Sequence, residues 1–307
     1  MKIVFMGSPQ FSIPSLLKLY TYNYKIVGVY TRKTHSSHNT FNKYNTTIHT
    51  IANNLSLKLL TPERLKSYDN IKEFQSLNAD IGIVVAYGLL IPKEFLEIPK
   101  YGFVNIHPSD LPKWRGAAPI QRSIIAGDQN TAVCIIKINT KLDAGDILLH
   151  KKISLDRNSN AKNLHDKCSE LGGAMMTKTL QLYKKNNIQA KKQNNDNIIY
   201  AKKIVQEEAL LNFDLPAFAV NNKIRAFSPK PGAYFIYQGI LIKIISATYK
   251  KSNKKYIPGT VIDNNLSIAC NTGILLPILL KRSGRQTLNT SSFLKGFNIT
   301  KGSKLNK

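Results

Sequence analysis

The chain reads as an α/β protein: a doubly wound, mostly parallel sheet followed by a small OB-like β-barrel domain. Three observations lead there. Short Val/Ile-rich runs alternate with helical patterns through the first half. Glycine-punctuated apolar runs crowd the last third. A polar stretch without apolar period separates the two. Near-continuous apolar strands separated by helices belong to parallel sheets covered on both faces. Five short strands with turns suit a small barrel, a common platform for nucleic acid.

Taken in order, residues 2–6 form a strand and Gly7-Ser8-Pro9 a turn. A helix is expected over 14–20, strands over 26–30, 57–60 and 81–86, and helical stretches over 47–54 and 62–77. FVNIH at 103–107 is a strand that breaks at Pro108. Cys134 lies in a buried strand, 132–136. Leu164, Cys168, Leu171, Met175 and Leu182 recur at helical spacing, a core-facing stripe on the helix that ends the first domain. The expected domains are 1–188 for the sheet, 189–205 for a basic linker and 206–307 for the barrel. Within the last, a helix covers 219–227, and strands cover 233–237, 240–248, 259–262, 266–269 and 274–280.

Composition narrows the function. A formal charge of +26 over 307 residues favours a polyanionic partner. Much of the excess lies in the second half, in pairs such as Lys202-Lys203 and Lys254-Lys255. Three distant cysteines and no C-x-x-C pair argue against a zinc knuckle or a disulfide framework. The first residues run straight into a strand, without signal-peptide architecture, and no apolar run has membrane-spanning length. A cytoplasmic, membrane-free protein is expected. Neither G-x-G-x-x-G nor G-x-x-x-x-G-K-[ST] occurs, which disfavours an NAD enzyme or a P-loop NTPase.

The chemistry concentrates near one strand end. Open α/β sheets bind ligands beyond the carboxyl ends of their strands. Asn105 and His107 lie two apart on such a strand, so an amide and an imidazole face the same way. Asp143, in the turn Leu142-Asp143-Ala144-Gly145-Asp146, offers a carboxylate, with Asp146 as the alternative. A donor for an oxyanion, an acid/base and an anion to hold the base together suit acyl transfer. Ser109 lies close to His107, but no G-x-S-x-G elbow surrounds it, so a hydrolase triad is disfavoured. His35 and His38 have no third ligand in view and read as a solvated loop.

Several motifs support a family. They include Met6 to Phe11, Ala86-Tyr87-Gly88-Leu89-Leu90-Ile91-Pro92, Asn105-Ile106-His107, WRGAAPIQ at 114–121 and LDAGD at 142–146. The second half adds Arg225-Ala226-Phe227-Ser228-Pro229 and Ser283-Gly284-Arg285. Over nearly its whole length the chain resembles the methionyl-tRNA formyltransferases. The resemblance implies the formyltransferase fold for the first domain and a β-barrel that helps grip tRNA. It implies formyl transfer from 10-formyltetrahydrofolate to the amino group of methionyl initiator tRNA, by direct amine attack through a tetrahedral intermediate. It implies Asn105, His107 and Asp143 as the catalytic set and no metal. Tyr87, Gly88, Leu89, Ser109, Asp110, Leu111 and Pro112 would line the folate site. Arg32, Lys33, Lys202 and Lys203 would meet tRNA, and no stable protein partner is implied beyond a monomer. Two departures stand out. Asp110 occupies a position that is usually Leu, and the segment 32–45 lacks the Gly-Arg-Gly element common in the family's tRNA-contacting loop.

Overall fold

The computed structural model of the chain describes residues 1–32, 47–194 and 196–306. It divides into two compact units that interleave along the sequence. One comprises Met1–Gly116, Asn130–Ile153 and His165–Tyr200; the other comprises Ala117–Gln129, Ser154–Leu164 and Ala201–Lys307. Two short pieces of the expected first block thus group with the second unit.

The first half of the chain gives β1 (Lys2–Gly7), α1 (Ile13–Thr21), β2 (Lys25–Tyr30), α2 (Thr47–Asn54), β3 (Leu59–Leu60), α3 (Tyr68–Ser76), β4 (Ile81–Val85), α4 (Lys93–Leu96) and β5 (Phe103–His107). After β6 (Lys113–Gly116) and α5 (Pro119–Ala126) come β7 (Asn130–Lys137), β8 (Ile147–Ser154) and α6 (Ala161–Lys184). The seven-stranded sheet has the order β3-β2-β1-β4-β5-β7-β8. The pairs among β1 to β5 are parallel, and β7 runs antiparallel to β5. Every residue of β4 is buried, as a strand covered on both faces requires.

The helix expected over 62–77 forms only from Tyr68 to Ser76. Ser67 explains the late start, because its hydroxyl accepts the Asn70 N–H and caps the helix there. The apolar stripe on α6 also differs from its expected course. Leu164, Cys168 and Met175 are buried, whereas Leu171 and Leu182 are only half-buried, and Met176, Leu180 and Tyr183 take the inner positions. Gly172 shows how closely this helix approaches the sheet: a Cβ there would lie 2.6 Å from the Ile106 side chain of β5. Phe74, Phe95 and Phe103 pack beside Tyr30 in the core, with ring centroids 4.9 to 5.9 Å apart. Such offset aromatic contacts add to area burial.

The remaining elements are β9 (Ile199–Ala201), α7 (Ala217–Phe227), β10 (Tyr234–Tyr237), β11 (Ile240–Lys250), β12 (Ile268–Ala269), β13 (Ile274–Arg282), β14 (Thr287–Asn289) and α8 (Thr290–Gly296). β9 pairs with β6 in a small separate sheet. The second unit holds a five-stranded antiparallel sheet of order β10-β11-β13-β12, with β14 also on β13, and α7 packs on β11 and β13. No pairing among the described strands joins β10 to β12, so the barrel-like sheet is open. The run 259–262 makes only single bridges, Thr260 with Lys304 and Val261 with Ile268. Its backbone hydrogen bonds are divided between two neighbours, residues 267–269 on one side and 302–305 on the other, and neither forms more than a single bridge with it.

Arg225, from the Arg-Ala-Phe-Ser-Pro motif, explains why 154–164 groups with this unit. Its guanidinium donates to the carbonyls of Asp156 and Ser159 at 3.1 and 3.0 Å. Burial pulls its pKa below the usual arginine value. All three cysteines are buried, and burial pushes each thiol up to about 12. Among the described residues no helix is long and apolar enough to cross a membrane, and no cluster of three His, Cys, Asp or Glu could hold a metal.

Candidate active site

Three parallel strands, β1, β4 and β5, end at Gly7, Val85 and His107 on the same edge of the first sheet. The strand order reverses between β1 and β4, the kind of switch point that opens a crevice at the carboxyl edge. Ser8, at the end of β1, ties in the ends of β2 and β4. Its hydroxyl donates to the Tyr87 carbonyl at 3.3 Å and accepts the Arg32 N–H at 3.2 Å. The Arg32 guanidinium lies against the turn after β4, with Nη1 3.3 Å from where a Cβ at Gly88 would sit.

At the end of β5 the two-residue spacing works as the pleat demands: Asn105 and His107 meet one carboxylate. Asn105 Nδ2 donates to Asp143 Oδ1 at 3.5 Å. Asp143 Oδ2 accepts the Gly116 N–H at 2.9 Å and lies 3.5 Å from His107 Nδ1. His107 is only 3 % exposed, and its Nε2 donates to the Trp114 carbonyl at 2.9 Å. A carbonyl can only accept, so this contact assigns a hydrogen to Nε2. When the ring is protonated, Nδ1 donates as well, towards Asp143. The carboxylate that reaches both partners is that of Asp143, not Asp146, whose backbone carbonyl accepts the Lys137 N–H at 2.9 Å.

The turn carrying Asp143 is pressed onto the end of β7. A Cβ at Gly145 would lie 1.8 Å from the Lys137 carbonyl oxygen, so no side chain fits there. Asp143 itself adopts φ +46, a conformation uncommon for a residue with a side chain.

The flanking loops hold the expected folate residues in two different ways. Tyr87 is 1 % exposed, and Leu89 packs at the edge of the aromatic core. Among the described residues nothing accepts the backbone N–H groups of Gly88 and Leu89. In the loop after β5, Ser109 is fully buried and its hydroxyl donates to the Lys113 carbonyl at 2.7 Å. Leu111 packs with Ala132, Cys134 and Ile136. Those two side chains anchor the loop, and the Ser109 carbonyl accepts from the buried Cys134 thiol at 3.2 Å, while Asp110 and Pro112 are half-buried. Asp110 accepts a hydrogen bond from His150 Nε2 at 2.6 Å.

The Lys202 and Lys203 side chains take no part in this network. Lys202 and Lys203 are exposed, while their backbone carbonyls accept from Arg122 at 3.0 and 3.3 Å. Arg122 also binds Glu208 through two bonds of 2.6 and 2.9 Å, and its hydrogen bonds hold that carboxyl below the usual glutamate range. Lys33, His35, His38 and most of the 32–45 loop lie outside the described residues.

Two members of the site escaped sequence reasoning. Arg115, only 4 % exposed, donates Nε and Nη2 to Gln193 Oε1 at 3.1 and 2.7 Å. Gln193 Nε2 in turn donates to the Asp143 and Gly145 carbonyls at 2.8 and 2.7 Å. Arg115 carried a signal, being inside WRGAAPIQ; Gln193 sits in a polar stretch with no pattern to single it out.

Comparison with known proteins bears on the fold and the family. A family profile described as formyl transferase matches residues 1–180, and one described as its C-terminal domain matches residues 203–298. Methionyl-tRNA formyltransferase of Rickettsia bellii is 40% identical over 297 residues, covering 97% of both chains. Among solved structures, an N-formyltransferase from Helicobacter canadensis, in complex with folinic acid and dTDP-3-aminofucose, superposes with a TM-score of 0.69 at 20% identity, covering 90% of this chain and 99% of that one. Methionyl-tRNA formyltransferase from Clostridium thermocellum gives 0.57 at 20% identity over 84% and 96% of the respective chains. The structural likenesses speak for the fold alone. The sequence identity, sustained from end to end across both units, says more: the chain belongs to the methionyl-tRNA formyltransferase family.

Proposed function

We propose that the chain transfers the formyl group of 10-formyltetrahydrofolate to the α-amino group of methionyl initiator tRNA and so supports translation initiation. The convergence of Asn105, His107 and Asp143 at the end of β5 carries this reading. The folate supplies a formyl group already activated as an amide, so no covalent formyl-enzyme is needed. The backbone donors at Gly88 and Leu89, beside the side chains of Leu89 and Leu90, fit a flat heterocycle with an amide edge. Tyr87 and the 109–112 loop, with Ser109, Asp110, Leu111 and Pro112, complete the walls.

Each catalytic residue has one task. Asn105 presents a carboxamide N–H to negative charge developing on an acyl oxygen, while Asp143 fixes the orientation of that amide. His107 moves a proton at Nε2 by exchanging the Trp114 carbonyl for a substrate atom, and Asp143 stabilises the ring when it is charged. Positioning both reactants together supplies the rest of the acceleration. Exposed Lys202 and Lys203, with Arg32 at the crevice, neutralise tRNA phosphates, and Lys33 is assigned the same task by its place in the sequence. The protein works as a cytoplasmic monomer.

The test is formyl transfer from 10-formyltetrahydrofolate to methionine-charged initiator tRNA, with free methionine and an amino sugar nucleotide as competing acceptors. Transfer to the charged tRNA alone is expected. Transfer only to a small amine would keep the chemistry and overturn the acceptor.

A further inference from the structure

Residues 191–193 lie in the stretch that reads as a linker, yet they pair with the site. The Lys191 and Ile147 backbones exchange two hydrogen bonds, at 2.8 and 2.9 Å, which brings the next side chains against the Asp143 turn. There the Gln193 carboxamide is fully engaged in one orientation. Arg115 can only donate, so Oε1 must face it, and Nε2 must face the Asp143 and Gly145 carbonyls. The amide cannot be flipped without setting donors against donors on one side and acceptors against acceptors on the other.

Those two carbonyls bracket Ala144, so the Gln193 amide staples the turn just where Asp143 stands at φ +46. Without the staple, a turn in this conformation has reason to relax, because residues with a Cβ are rarely comfortable there. Any relaxation rotates the carboxylate away from Gly116, Asn105 and His107. The contacts to Asn105 and His107 are already long, at 3.5 Å each, so a small rotation removes them.

We infer that Gln193 is a positioning residue for formyl transfer, acting through the Asp143 turn and itself held by Arg115. The inference rests on the assignment of Asp143 to the catalytic set. It predicts that the effect of Gln193 is carried entirely by Asp143.

The test uses Gln193→Glu in the full-length protein. The variant keeps an oxygen for the Arg115 fork, in a charge-assisted pair, and loses both N–H groups. We expect kcat to fall by about tenfold or more, the equivalent of roughly 1.4 kcal/mol, while KM for both substrates stays within about threefold. Thermal stability should fall somewhat, since one carboxylate oxygen keeps the Arg115 fork while the other faces two carbonyls to which it cannot donate. Because a merely structural role would also lower kcat in a loosened fold, a double-mutant cycle with Asp143→Asn decides the matter. If Gln193 works through Asp143, the second substitution costs nothing in the Asp143→Asn background. Equal losses in both backgrounds would overturn the inference, as would unchanged kcat in Gln193→Glu. If Asp143→Asn alone retained full kcat, the catalytic assignment itself would fall, a result distinct from either.

Discussion

The Asp143 turn and the Lys202-Lys203 segment are both built around an arginine, but the two arginines do opposite things. Arg115 is buried, and its guanidinium serves an amide that serves a turn. Arg122 binds Glu208 and two backbone carbonyls, and by holding those carbonyls it leaves the lysine side chains outside. In the first case every contact is directional and few are replaceable. In the second, the exposed charges are redundant and screened by salt. Chemistry should therefore collapse on single substitutions, and grip should erode gradually.

The strongest way to break that contrast is at the site. Asn105→Ala should lower kcat by about a hundred- to thousandfold, the usual cost of one oxyanion donor, with little change in tRNA binding. Steady-state kinetics with charged tRNA would measure it, and a loss of under about tenfold would remove Asn105 from its assigned task. Gly145→Ala comes next. Its Cβ meets rigid backbone, so we expect a cost of about 1–3 kcal/mol in urea unfolding and at least about tenfold lower kcat as the turn shifts.

Arg122→Ala should destabilise the second unit by about 1.5–3 kcal/mol in the same unfolding assay. Its pH signature sharpens the comparison. The folded-state pKa of Glu208 is depressed, first by its hydrogen bond with Arg122, below the reference value of 4.5. That stability is present above pH 4.5 and is lost as pH falls through the folded value, so acid unfolding should be shallower in the variant. Lys202→Ala or Lys203→Ala should show the smallest effect on function. We expect kcat unchanged, affinity reduced a few-fold, and the log–log salt slope lowered by roughly one for each phosphate no longer neutralised. A flat salt dependence in the parent protein would dismiss those phosphate interactions altogether.

Much of this was legible from local pattern. The parallel strands announced themselves as apolar runs, and the pleat alone put Asn105 beside His107. The carboxylate needed tertiary information: 142–146 offers Asp143 and Asp146, and what sets Asp143 apart is its contact with Asn105, His107 and Gly116. Gln193 was invisible because a polar residue in a Lys/Asn/Gln-rich run looks like every other; its role comes from the pairing of Lys191 with Ile147, 44 positions away in the chain. The run expected as a strand at 259–262 divides its backbone hydrogen bonds between 267–269 and 302–305, a tertiary arrangement that the apolar pattern does not reveal. Asp110, the departure in the loop after β5, acquires a partner in His150 that no spacing rule could supply.

The three buried thiols have a practical consequence. Thiolate is the reactive form, and groups pushed up to about 12 supply almost none of it near neutral pH. Maleimide or iodoacetamide should pass over the native chain. A cysteine installed at exposed Lys202 would be the sole site of attachment, so a dye placed there could report the arrival and departure of tRNA from a protein otherwise left chemically untouched.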